Sequence, residues 1–188
     1  MKTIIFATGN KDKMREIREI MADVDVEVLS MKEAGIVVDV VEDGDTFEAN
    51  SLIKAKAIAE NTDAIVLADD SGLEIDYLDK APGVYSARFM GEDTSYEIKN
   101  QALIDKLDGV PKEQRTARFV CAIAAVLPDK SELVVRETME GYIGWEAEGE
   151  NGFGYDPIFF LDEFGCSLQH FLVSRKTKLV IEARHSVQ

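Results

Sequence analysis

The chain has 188 residues, 46% of them hydrophobic and 30% charged, enough apolar material to build the core of one domain spanning residues 1–188. Its formal net charge of -15 excludes a broad phosphate-neutralising surface, so no nucleic acid partner is expected. A polyphosphate ligand would need local compensation from a few placed lysines, from backbone N–H groups or from a divalent cation.

Two cysteines, Cys121 and Cys166, and two histidines show no paired spacing, which argues against a structural zinc site. Cys121 sits in the apolar run 119–127 and is expected in the core. Met1-Lys2-Thr3 leads straight into a strand-like run, and no apolar run approaches the length of a membrane span. A cytoplasmic protein with no membrane partner is expected.

Thr3–Ala7 is a short apolar strand ending in Thr8-Gly9-Asn10. From Lys11 the period changes, with Met14, Ile17, Ile20 and Met21 on one helical face and Asn10 as N-cap. Strand, glycine turn and helix aim free N–H groups and the positive end of a helix dipole at one point, and Lys13 adds a charge there. Val26–Leu29 is a second strand. The run 35–41 ends in the acidic stretch Glu42-Asp43-Gly44-Asp45, either a solvated loop or part of a cation site. A helix follows from Thr46 to about Asn61, with Asp45 and Glu48 spaced as a capping box. Asn50 and Lys54, four apart, share one of its faces.

The next apolar run, 64–68, delivers Asp69-Asp70 to its end beside a Ser71-Gly72 turn. Adjacent carboxylates at a strand's carboxyl end suit a metal-and-water site, and ordinary turn residues are the alternative. Lys80-Ala81-Pro82-Gly83 is a turn, and Tyr85-Ser86-Ala87-Arg88-Phe89 sets an arginine among aromatics. Thr94 with Glu97 caps a helix to about Leu107. Thr116–Leu127 and Glu132–Thr138 read as a long hairpin. Phe153-Gly154-Tyr155-Asp156 closes a glycine-rich loop whose aromatics either stack on a flat ring or turn into the core.

Four stretches match one pattern in order: Phe6–Lys13 with Glu16, Glu42–Lys54, Leu67–Gly72 with Ala81–Arg88, and Gly152–Phe159. Together they resemble the inosine triphosphate pyrophosphatase (Ham1) family. The resemblance implies an elongated α/β fold, a central mixed sheet flanked by helices, with two lobes and an active-site cleft between them. It also implies a homodimer and magnesium-dependent hydrolysis of ITP, dITP and XTP to monophosphate and pyrophosphate. By matching position, Thr8, Gly9, Asn10, Lys11, Asp12 and Lys13 would hold the triphosphate. Glu42 and Asp70 look like Mg²⁺ carboxylates, with Asp70 also the acceptor of the water's proton. Asp69 and Lys54 would support that cluster, and Ser71 lies at a substrate-contact position. Phe153, Gly154, Tyr155 and Asp156 resemble the base-binding loop, with Phe153 on the purine. A Maf-like pyrophosphatase of other base preference fits the Thr8–Asn10 and Phe153–Asp156 stretches less well.

The tail from about residue 168 departs from this pattern. The family ends with a phosphate-contacting lysine and a Ser-His-Arg run, and neither is found in order over residues 168–188. Codons for Val173–Ser186, read from the third base of each into the first two of the next, can spell Glu-Gln-Lys-Asn-Glu-Ile-Ser-His-Arg-Gly-Lys-Ala-Phe. This suggests a frameshift shortly after Ser167, with a genuinely divergent tail as the alternative. The expected consequence is weak base selectivity and reduced turnover, or at the extreme a catalytically impaired nucleotide-binding protein.

Overall fold

The computed structural model describes residues 2–149, 153–163 and 165–168, so the tail reading lies outside the described residues. The strands are β1 (Lys2–Phe6), β2 (Val26–Ser30), β3 (Ile65–Ile75), β4 (Thr116–Val126), β5 (Glu132–Ile143), β6 (Phe159–Leu161) and β7 (Cys166–Ser167). The helices are α1 (Lys11–Ile20), α2 (Phe47–Ala59) and α3 (Tyr96–Lys106). The strands form a seven-stranded mixed sheet in the order β2-β1-β3-β4-β5-β6-β7. β1 runs parallel to β2 and β3, whereas β6 is antiparallel to β5 and β7. This is an α/β fold. Among the described residues no helix is long and apolar enough to cross a membrane.

The chain groups into two compact units, residues 1–71 with 120–137 and residues 72–119 with 138–188. The first has a core of Ile5, Ala55, Ile58, Val66, Ala68, Ala124 and Val126 among others. Its helix α2 is buried through Phe47, Ala55 and Ile58. The second is built on Leu73, Ile75, Leu103, Leu107, Ile143, Ile158 and Phe159 among others. There Gly141 and Gly144 have no room for a side chain: a Cβ on either would collide with Phe160.

Several local expectations are corrected. β3 does not stop at the aspartates. It runs through Asp69-Asp70-Ser71-Gly72, because Val66 and Ala68 anchor one end in the first core and Leu73 and Ile75 anchor the other in the second. Buried apolar residues on both sides outweigh the poor strand propensity of Asp, Ser and Gly. The α2 cap is Thr46, whose hydroxyl accepts from Ala49 N at 3.1 Å, and not Asp45. The α3 cap is Ser95, accepting from Ile98 N at 3.4 Å, while Thr94 instead donates to Met90 O at 2.7 Å. β5 continues past Thr138 to Ile143. Cys121 is exposed, because the strand period puts Val120, Ala122, Ala124 and Val126 on the buried face of β4.

Candidate active site

In the first unit, β1 ends at Phe6 and α1 starts at Lys11. Asn10 caps the helix: its Oδ1 accepts from Lys13 N at 3.3 Å, and its own N–H donates to Thr8 Oγ1 at 3.1 Å. Thr8 and Asn10 are half-buried, whereas Gly9 and Lys11 are exposed; the Asp12 side chain is outside what is described. Lys13, in the first turn of α1, reaches back to β3. Its ammonium pairs with Asp69 Oδ2 at 2.5 Å. Ser71 Oγ donates to the same oxygen at 3.2 Å. A cation in the first turn opposes the helix dipole, and Asp69 offsets that cost.

Helix α2 contributes the second cation. Lys54 Nζ pairs with Glu42 Oε1 at 3.1 Å and donates to the main-chain oxygen of Asp69 at 2.9 Å. One turn earlier on the same face, Asn50 is fully buried, and its Oδ1 accepts from Gly44 N at 2.8 Å. That bond folds the acidic loop onto the start of α2. The approach is close enough that a Cβ at Gly44 would sit 2.8 Å from both Ala49 Cβ and Asn50 Oδ1. Asn50 was recognisable in sequence only by its spacing from Lys54. Its part in holding the Glu42 loop depends on a loop path that periodicity does not reveal.

Asp70 completes the cluster. Its Oδ1 accepts from Ser71 N at 3.0 Å, but among the described residues its Oδ2 is buried without a hydrogen-bond partner, as is Asn50 Nδ2. Burial pushes the Asp70 carboxyl above the usual carboxylate range, and the nearby Glu42 charge adds to this. The Asn50 amide, the Lys54 ammonium and the Ser71 N–H pull the other way without cancelling the shift.

These residues fit a divalent cation of a particular kind. Among the described residues no three carboxylate, histidine or cysteine side chains converge into a complete protein cage. Magnesium is commonly held by one or two carboxylates, with water and substrate phosphates supplying the remaining ligands. Glu42 and Asp70 can supply such a pair, and the unpartnered Asp70 Oδ2 is an acceptor of the required hardness.

In the second unit the 153–156 loop divides its two aromatic rings. Phe153 is 61% exposed. Tyr155 is 3% exposed, its hydroxyl donates to Ser86 O at 2.7 Å, and its ring meets Tyr96 edge-on at 5.2 Å. Phe153 is therefore the exposed ring of the loop, and Tyr155 is a core residue supporting it. Gly154 adopts a left-handed φ of 62°. Asp156 N donates to Phe153 O at 3.2 Å, closing the turn.

Comparison with known proteins places this arrangement. The family model described as "Ham1 family" matches residues 4–185. The chain is 46% identical over 94% of its length to a dITP/XTP pyrophosphatase of Thermoanaerobacter sp. (strain X514), covering 88% of that protein. It is 42% identical to the dITP/XTP pyrophosphatase of Bacillus subtilis (strain 168), covering 95% of this chain and 90% of the relative. Among solved structures, the Staphylococcus aureus Ham1 protein superposes with a TM-score of 0.81 at 39% identity, over 89% of this chain and 85% of that one. A HAM1 protein from Coxiella burnetii gives a TM-score of 0.83 at 31% identity, over 100% and 98% of the two chains. With the family model matching residues 4–185 and relatives above 40% identity over more than nine-tenths of its length, the chain belongs to the Ham1 family.

Proposed function

We propose that this protein hydrolyses non-canonical purine nucleoside triphosphates, of the ITP, dITP and XTP class, to the monophosphate and pyrophosphate. The observation that carries the reading is Asp70: a carboxylate with one buried, unpartnered oxygen, set among Glu42, Lys54 and Asn50. The printed names of the relatives, dITP/XTP pyrophosphatase, support the substrate class.

Glu42 and Asp70 would hold Mg²⁺, which when bound neutralises charge on phosphate oxygens. The chain's own groups do the remaining work. Lys13, the Thr8–Lys11 turn and Lys54 bind phosphate oxygens, with N–H groups and ammoniums facing the same charge. Asp70, shifted upward by burial, accepts a proton from the attacking water. The water oxygen bonds to the α-phosphorus, the bond from that phosphorus to the bridging oxygen breaks, and pyrophosphate leaves with the electron pair. Phe153 stacks on the purine and Asp156 accepts from its edge. An adenine amino group would face donors meant for a 6-oxo group, which is how selectivity would arise.

The same reading includes a cytoplasmic homodimer. Both cysteines are free, as suits a reducing compartment. Leu133 and Val135 on β5 are 60% and 49% exposed, apolar surface of the kind subunits cover. A panel measuring pyrophosphate release from ITP, XTP, dITP, GTP and ATP, with magnesium and with a chelator, tests the proposal. Magnesium-dependent release favouring the 6-oxo purines other than GTP is expected. Equal rates on ATP, or no release at all, would contradict it.

A further inference from the structure

Helix α3 touches the base-side loop through a residue that the catalytic reading leaves unused. Asn100 is 5% exposed, and its Nδ2 donates to Gly154 O at 3.1 Å. Its Oδ1 is buried with no hydrogen-bond partner among the described residues. A buried amide with one unsatisfied acceptor is a poor choice for stability alone, since that acceptor loses water without replacement. The amide cannot be turned over to relieve it, because Gly154 presents a carbonyl and needs a donor.

The bond belongs to a closed ring. One residue before Asn100, Lys99 Nζ donates to Ala87 O at 2.7 Å. The neighbouring carbonyl, Ser86 O, accepts from the Tyr155 hydroxyl at 2.7 Å. Gly154, next to Tyr155, returns the ring to α3 through Asn100. Tyr96, on the same helix face as Asn100, lies edge-on to Tyr155 and 6.5 Å from the Phe153 ring centroid. The Phe153 turn therefore rests on α3, with Tyr155 as one anchor and Asn100 as the other. Tyr155 holds the loop to the core. Asn100 fixes the Gly154–Tyr155 peptide, one residue beyond Phe153, and so limits where that exposed ring is aimed.

We infer that Asn100 is a positioning residue for purine recognition: by holding the Gly154 carbonyl it sets Phe153 as a pre-formed stacking platform. This rests on the reading that Phe153 stacks on the base. Losing the anchor leaves Phe153 present but free to wander, so the bound complex must pay to order it. Substrate binding is weakened, while the phosphate chemistry of the first unit is untouched.

The test is a set of four proteins: wild type, Asn100→Leu, Phe153→Ala and the double variant. Leucine, of similar size, removes the hydrogen bond and the unpartnered acceptor together. Asn100→Leu is expected to raise KM for ITP roughly three- to tenfold, the effect of one lost hydrogen bond, with kcat little changed. The dissociation constant of IMP, which does not turn over, moves by a similar factor. In the Phe153→Ala background the same change has no further effect. If Phe153→Ala raises KM but Asn100→Leu does not, the inference is overturned and base stacking stands. If Asn100→Leu acts equally in both backgrounds, its role is not exerted through Phe153, and the inference is again overturned. If Phe153→Ala itself leaves KM and the IMP constant unchanged, the stacking reading is wrong and the inference goes with it. Asn100→Ala, which also lacks the donor, is read in place of the leucine variant if that one is poorly folded. A wild-type KM for Asn100→Ala would then count against the inference.

Discussion

Replacing Asp70 with asparagine should abolish turnover and yet make the metal-free protein more stable. The folded protein raises the Asp70 carboxyl above its ordinary value, chiefly through burial, so ionising it costs folding free energy. Well below the usual carboxylate range the group is protonated in both folded and unfolded chains, and the cost is absent. As pH rises through the folded value the cost appears in full, because the unfolded chain has already released its proton. An unpaired buried neutral group costs about 1–3 kcal/mol, and a charged one more, so exchanging the carboxylate for the amide gains on the order of 1 kcal/mol. For a chain of this size that is about 2–4 °C in Tm. Thermal unfolding of wild type and Asp70→Asn, in chelator from about pH 2 to about pH 8, should show a gap that is negligible at the acid end and full at the basic end. Added magnesium should raise the wild-type Tm and leave the variant unmoved, since a ligand stabilises only the form that binds it. A lower Tm for the variant at pH 8, or a gap independent of pH, would refute the argument that Asp70 is a strained, ionised base.

Two further outcomes follow from the same cluster and from the tail. Lys54→Met removes a charge that lowers the Asp70 carboxyl, so the acid limb of the kcat/KM profile for ITP should move to higher pH and KM should rise; a limb that stays in place would mean that Asp70 does not set it. Replacing the segment after Val173 with its shifted-frame reading should raise ITP hydrolysis and the ITP-to-ATP ratio by at least tenfold, measured as steady-state pyrophosphate release. Equal activity of the two proteins would show that this tail serves as well as the Ser-His-Arg end.

The site was legible where chemistry is carried by local spacing. Thr8-Gly9-Asn10 ahead of a helical period predicts the capped turn, and Asn10 makes it. Asn50 and Lys54 share a face by their four-residue separation, and both are drawn to the acidic loop. Reading failed where distant packing sets local form. Ser71-Gly72 has the composition of a turn, but buried Leu73 and Ile75 draw the chain on as strand. Phe153 and Tyr155 look alike in sequence. Only the Ser86 carbonyl and the Tyr96 ring, contributed by remote segments, decide that Tyr155 turns inward. Asn100 has no sequence signal at all, because its partner is a main-chain carbonyl 54 residues away.

The arrangement of charges sets Asp70 apart from its neighbour as the proposed base. Three carboxylates and two ammoniums meet at the first-unit cluster. Lys13 takes Asp69 at 2.5 Å and Lys54 takes Glu42 at 3.1 Å, so each lysine is already committed to a different acid. Asp70 is the one left over: it receives a main-chain N–H on one oxygen, and among the described residues the other has no hydrogen-bond partner. Side-chain alternation along β3 turns the two neighbours to opposite faces, which is how adjacent residues come to have such different surroundings. The pairing also sets the order of events that a triphosphate must meet. Phosphate oxygens compete with Asp69 and Glu42 for the lysines, and any carboxylate so released gains from a divalent cation beside it. Metal and triphosphate should therefore bind with positive coupling, each offsetting the charge the other exposes.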